Sequence, residues 1–315
     1  MSSRRRRQGR RHLSWIQIAT ALCALVAIST SAQLAPSAAI PPPVLPEFRT
    51  NNGPLTFVPV SDHVSDTAQP QLGNGVIANV QKWPASLVAS AAGETCTATL
   101  VGQRTLLTAA HCVGDGEEIG VQFDKGSPPV KGTCSRAPGW TASEPSNDWA
   151  LCLMNEPVKR PGLVFELVSL DPSPLKPGLR LTAGGYGCQD LKKQKLEVPP
   201  VFRIGSLYID RPPVPGGTWP NWIFTVAATD ASKSFVCPGD SGGAVYLVRA
   251  DQSRLIVAVV SAVQSDPSSK DYKVSYLAAV STTAGRAFIE AWATKPTREI
   301  CGLSPSAVGC RPAQM

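Results

Sequence analysis

The sequence predicts an all-β domain, and three observations carry that expectation. Short apolar or alternating runs recur at 98–101, 105–109, 149–154, 180–183, 222–227, 244–248, 255–262 and 275–280. Turn formers separate them, in a chain holding 26 Gly and 29 Pro, and many short strands punctuated in this way read as a sandwich or a barrel. A single stretch near the end, 284–292, places its apolar residues at helical spacing and reads as a terminal helix. No internal repeat and no glycine-rich phosphate loop is visible.

Taken in order, residues 1–39 read as an export signal. Six arginines (Arg4, Arg5, Arg6, Arg7, Arg10 and Arg11) precede an apolar run from Trp15 to Ile28, and small residues such as Thr30-Ser31-Ala32 supply a cleavage site. The run is shorter than a bilayer span needs, so no stable membrane span is expected once the signal is removed. Arg10-Arg11-His12-Leu13 leaves twin-arginine and general export both open, and Leu22 before Cys23 argues against lipid attachment. The formal charge of +7 falls to about +1 without those six arginines, so the folded part has no excess of cations with which to bind nucleic acid.

Residues 40–71 open on Ile40-Pro41-Pro42-Pro43 and continue without periodicity. Such a segment cannot bury enough apolar surface to offset its ordering entropy, so it reads as a Pro-rich propeptide or spacer. A strap along the domain surface is the alternative, since proline-rich extended segments dock into grooves.

Three stretches carry chemistry. In Phe235-Val236-Cys237-Pro238-Gly239-Asp240-Ser241-Gly242-Gly243, Ser241 is a candidate nucleophile. The glycine at 239 lets the backbone turn so that the N–H groups of Gly239 and Ser241 converge as an oxyanion hole. An isolated Gly-Asp-Ser-Gly is ordinarily a surface turn, and its neighbours elsewhere in the chain decide otherwise. The chain has three histidines, His12, His63 and His111, and the first two fall in segments expected to be removed. His111, at the end of Leu106-Leu107-Thr108-Ala109-Ala110, is therefore the one candidate base for Ser241. Asp148 enters the apolar run 149–153 and is the candidate to orient the imidazole.

In the order His, Asp, Ser, these segments resemble the chymotrypsin-like (trypsin-like, S1 family) serine peptidases. The resemblance covers roughly 72–295. It implies two antiparallel six-stranded β-barrels with a C-terminal α-helix, the first barrel at about 72–165, the second at about 166–280 and the helix at about 282–294. A Cys-containing tail at 296–315 is left outside. It also implies a triad of His111, Asp148 and Ser241 acting on a protein or peptide substrate, with no cofactor, in a secreted monomer. Leu72-Gly73-Asn74-Gly75 is similar to the start of the family's mature chain, where a freed ammonium pairs with the aspartate before the serine, here Asp240. Gln71 stands where that family has Arg or Lys before the cut.

The resemblance pairs Cys96 with Cys112. It places Cys237 near the serine without its usual downstream partner, for which Cys188 is the substitute. Cys134, Cys152, Cys301 and Cys310 remain. Cys134 with Cys152 and Cys301 with Cys310 are nearest in sequence, and the other pairings stay open. Disulfides suit an exported chain, whereas zinc is disfavoured by a single retained histidine and no Cys-x-x-Cys.

By the same resemblance, Phe235 lies on the floor of the primary specificity pocket, with Val263 and Ser275 at its sides. Ser261 lies on the strand that pairs with substrate, from which its hydroxyl can also reach Asp148. A floor without an acid disfavours Arg or Lys at P1 and points to a small uncharged residue. Two other readings stand beside this one: a binding protein that keeps the fold without turnover, and an esterase using the same triad. An α/β-hydrolase is disfavoured because its histidine follows its serine.

Overall fold

The computed structural model describes residues 54–59, 72–91, 94–124, 126–188, 200–227, 233–265 and 273–312. The export signal, and all of the expected propeptide or spacer except 54–59, lie outside the described residues. No helix among the described residues is long and apolar enough to cross a membrane.

The first half of the chain supplies β1 (Leu55–Phe57), β2 (Val76–Ile77), β3 (Ser86–Ala91), β4 (Glu94–Gly102), β5 (Thr105–Thr108), β6 (Glu118–Val121), β7 (Val130–Arg136) and β8 (Ala150–Met154). The second half supplies β9 (Leu167–Val168), β10 (Arg180–Gly185), β11 (Arg203–Arg211), β12 (Trp222–Ala227), β13 (Ala244–Val248), β14 (Arg254–Ser265) and β15 (Lys273–Ala279), followed by helix α1 (Thr283–Ala293).

These strands form two barrel-like sheets. The first runs β1-β6-β7-β8-β5-β4-β3. The second runs β10-β13-β14-β15-β12-β11 and closes where β10 pairs β11, a six-stranded ring to which β2 is added along β11 and β9 along β14. Alternation fixes the faces: along β11, Arg203, Gly205, Leu207 and Ile209 are buried while Ile204, Ser206 and Tyr208 are half-buried. The inward residues of the ring, among them Leu181, Leu207, Val257 and Leu277, make one apolar cluster. Each such side chain stabilises the fold by roughly 1.5–3 kcal/mol.

Two regions outside the expected peptidase domain also take part in the fold. Residues 54–59, assigned by composition to a propeptide or spacer, include a strand that runs parallel to β6 and also bridges β3 through Val58 and Val88. Leu55 and Phe57 alternate into the core, the latter with no exposure, which is how so short a segment offsets its ordering cost. It serves as an added stave in the near-closed first barrel rather than as a surface strap.

The tail after α1 is likewise part of the fold. The Cys301 N–H donates to Val101 O of β4 (2.7 Å), the Val168 N–H to Cys301 O (2.8 Å) and the Arg311 N–H to Phe165 O (2.8 Å), so the tail is sewn both to β4 and to the segment after the first barrel. Glu166, wholly buried there, accepts two hydrogen bonds from Arg254 (2.9 and 2.5 Å) and two from Arg311 (3.1 and 2.9 Å). Helix α1 starts where Thr282 Oγ1 accepts from the Gly285 N–H (3.2 Å), and it buries Gly285, Ile289 and Trp292 along one face.

Candidate active site

His111 sits in a short 3-10 turn directly after β5, and Asp148 follows another such turn just before β8, so both belong to the first barrel. Ser241 lies in the turn before β13 and Ser261 lies on β14, both in the second barrel. The candidate site is therefore assembled across the seam between the two sheets.

Asp148 has no exposed surface, and three donors converge on its carboxylate. The His111 N–H reaches Oδ1 (2.9 Å), while His111 Nδ1 and the Ser261 hydroxyl both reach Oδ2 (2.7 Å each). A carboxylate only accepts, so Nδ1 carries the ring proton and Nε2 is left with a lone pair. Trp149, adjacent and fully buried, donates its indole N–H to Ala278 O on β15 (2.9 Å), which fixes this end of β8 against the second barrel.

Thr97 of β4 holds the Ser241 turn in place. Its N–H donates to Ser241 O (2.7 Å), its hydroxyl donates to Gly239 O (2.8 Å) and its own carbonyl accepts from the Thr108 hydroxyl (2.9 Å). The Gly239 carbonyl is thus anchored, and its φ of +100° lies in a region that glycine enters without a Cβ penalty. Neither the Gly239 nor the Ser241 N–H has a hydrogen-bond acceptor among the described residues.

No hydrogen bond runs from the Ser241 hydroxyl to His111. The Cys112 sulfur lies 3.6 Å from the Ser241 carbonyl oxygen and 3.9 Å from His111 Nε2. Such a catalytic contact commonly closes only when substrate is bound.

The four disulfides are Cys96–Cys112, Cys134–Cys152, Cys188–Cys237 and Cys301–Cys310. The first braces the His111 turn against β4, and the third ties the Ser241 turn to the loop after β10. Among the described residues, the one grouping with three potential metal ligands is Cys96, His111 and Cys112. Its two sulfurs are joined to each other, which leaves no thiolate to bind an ion.

The residues expected to shape specificity lie close together. The Phe235 N–H donates to Gly73 O (3.0 Å), and the ring of Phe235 occupies the space that a side chain at Gly73 would need. Ser275 is buried and accepts from the Val236 N–H (3.1 Å), and Val263 is its direct partner across β14 and β15. Ser275 thus supports the segment that carries Phe235. Asp240 is also wholly buried: the Gly187 N–H reaches its Oδ1 (2.7 Å) and the Cys237 N–H its Oδ2 (2.8 Å). Burial pushes its carboxyl up to about 7, against the opposing pull of those two donors and of Arg203. Leu72 packs in the core of the second barrel.

Thr97 and Arg203 escape the sequence reading. Thr97 carries no signal beyond its place in a strand, whereas Arg203, a charge on the inward face of an alternating run, could have been noticed. A search of curated protein sequences finds no match to the chain. The model of the family described as Trypsin matches residues 73–284. That match spans more than half of the sequence and agrees with the two-barrel architecture, and the chain belongs to the trypsin family of chymotrypsin-like serine peptidases.

Proposed function

We propose that the protein is a secreted serine endopeptidase that works by acyl transfer. Ser241 attacks the peptide carbonyl, and His111 Nε2 takes its proton and returns it to the leaving amine. Asp148 orients the imidazole, and the N–H groups of Gly239 and Ser241 receive the oxyanion. Water then repeats the sequence on the acyl-enzyme. The observation that carries this reading is the buried Asp148 carboxylate holding His111 through both its backbone N–H and Nδ1, beside the turn that bears Ser241. Four disulfides are in keeping with an oxidising compartment outside the cytoplasm.

A fluorophosphonate tests the nucleophile. Stoichiometric labelling that disappears in Ser241→Ala supports an enzyme, and a folded wild type that never labels supports a binding protein. Faster turnover of esters than of amides by every measure, with no protein cleaved, would favour the esterase. For the pocket, the aromatic floor at Phe235 and the Val263 wall favour a small uncharged P1 residue such as Ala or Val. A cleavage profile dominated by Arg, Lys or large aromatics overturns that preference. The discrimination is modest, because one methyl or methylene in an apolar pocket is worth about 1 kcal/mol.

A further inference from the structure

We propose that Arg203 is a positioning residue for the oxyanion hole: its guanidinium is the built-in counter-charge of Asp240, in the place where the α-ammonium of a chain cut before Leu72 was expected. This rests on the peptidase reading above and deepens it.

The geometry begins with strand register. Gly185 of β10 and Arg203 of β11 are direct antiparallel partners, so their side-chain directions point to the same face of the sheet. On that face, a Cβ at Gly185 would collide with Asp240 Oδ1. Arg203 therefore projects toward the side of the barrel on which the carboxylate lies, and a glycine opposite leaves the space open. A Cβ at Gly187 would also meet this carboxylate.

Both side chains are fully buried. Burying one charge alone costs several kcal/mol, and a partner of opposite sign offsets that cost. The charge of Arg203 acts on the carboxylate in the same direction as its two backbone donors, against desolvation, though less than either of them.

The surroundings agree. Arg203 pairs on its other side with Ile77 of β2, and two residues along the same inward face Gly205 makes room for the Leu72 side chain. The segment 72–77 therefore runs from its bridge with Phe235 to its pairing with β11 as one piece. Leu72 fills an apolar site in the second barrel, and β1 upstream is packed in the first barrel.

The consequence for the site is direct. Asp240 lies between the two residues whose N–H groups form the oxyanion hole. Its carboxylate holds the turn from inside by accepting from the Cys237 and Gly187 N–H groups. An ammonium in this role exists only after a peptide bond is cut, whereas a guanidinium is charged in the intact chain at every working pH.

Arg203→Met and Arg203→Lys should be compared with the wild type. Removing one oxyanion donor typically slows catalysis roughly a hundred- to a thousand-fold. Arg203→Met should therefore lower kcat about a hundredfold or more with a much smaller change in KM, and Arg203→Lys should recover most of that loss. N-terminal sequencing of the active wild type should find a start upstream of Leu55. A kcat in Arg203→Met within about threefold of wild type, or an active form that begins at Leu72, overturns the proposal.

A second measurement is independent of turnover. If the two charges are paired, the double variant Arg203→Met with Asp240→Asn melts at a higher temperature than Arg203→Met alone, because no carboxylate is left unpaired in the interior. Additive effects of the two substitutions overturn the pairing even in a protein that proves inert. A wild type that never labels at Ser241, yet shows this coupling, sinks the peptidase reading and leaves the pairing standing.

Discussion

Asp148 and Asp240 are both without exposed surface, yet they are accommodated in different ways. Asp148 lies at the seam, where donors come from both barrels: His111 from the first and Ser261 from the second. Asp240 lies within the second barrel, where its donors are the backbone of its own turn and of the loop after β10, with Arg203 as the nearby charge. Similar desolvation costs are thus met by opposite kinds of partner. An imidazole gains and loses a proton near neutral pH, and a guanidinium does not. The first suits a group that takes part in a reaction, and the second suits one that fixes the shape of the reacting loop.

The sharpest way to break this contrast is to remove the group that the seam serves. Ser241→Ala should lower kcat on the order of a million-fold while leaving the melting temperature close to wild type. Asp148→Asn comes next, at about ten-thousand-fold in kcat at neutral pH, because an amide there favours the wrong imidazole tautomer. Steady-state kinetics on a small peptide amide measures both, and equal activity in either variant would mean that the seam is not the reaction centre.

Ser261→Ala should be milder. A hydrogen bond to a charged group contributes roughly 1.5–3 kcal/mol, which corresponds to about ten- to a hundredfold in kcat/KM if Ser261 acts by steadying Asp148. An unchanged value would mean that the two donors from His111 suffice.

A last measurement separates the two aspartates by pH. The Asp240 carboxyl is raised from 3.8 to about 7 in the folded state, so between those values the fold holds a proton that the unfolded chain releases. The wild type should therefore lose stability as pH rises from 3.8 to about 7 and change no further from this cause above that. Asp240→Asn should lack that slope, as melting temperatures across the interval will show. Superimposable profiles would mean that Asp240 titrates as it does in the unfolded chain.

Much of the architecture was visible in residue patterns. The runs at 105–109, 149–154, 222–227 and 244–248 became β5, β8, β12 and β13 within a residue or so, and the helical spacing at 284–292 became α1. Where patterns failed, the reason is specific. In β11 the inward face holds Arg203 and Gly205 as well as Leu207 and Ile209, so a charge and a glycine mask the alternation. In β7, Gly132 and the lysine and arginine near its ends conceal a strand whose buried positions include a bridged cysteine. β1 has only three residues in a proline-rich setting, too few for any period to show.

Local sequence by itself determined the chemistry-bearing segments of this chain: a histidine closing an apolar run, an aspartate opening one, and a serine in a glycine turn. Each depends on neighbours a few residues away, where backbone preference and short-range packing act. The closed sheets alone decided that Thr97 would clamp Gly239, 142 positions along the chain, and that Ser261 would reach Asp148 across 113. They also decided that Arg203 would face the side of the barrel holding Asp240. Such partners are chosen by strand register and barrel closure, which bring distant residues onto one face and leave no local trace in either partner.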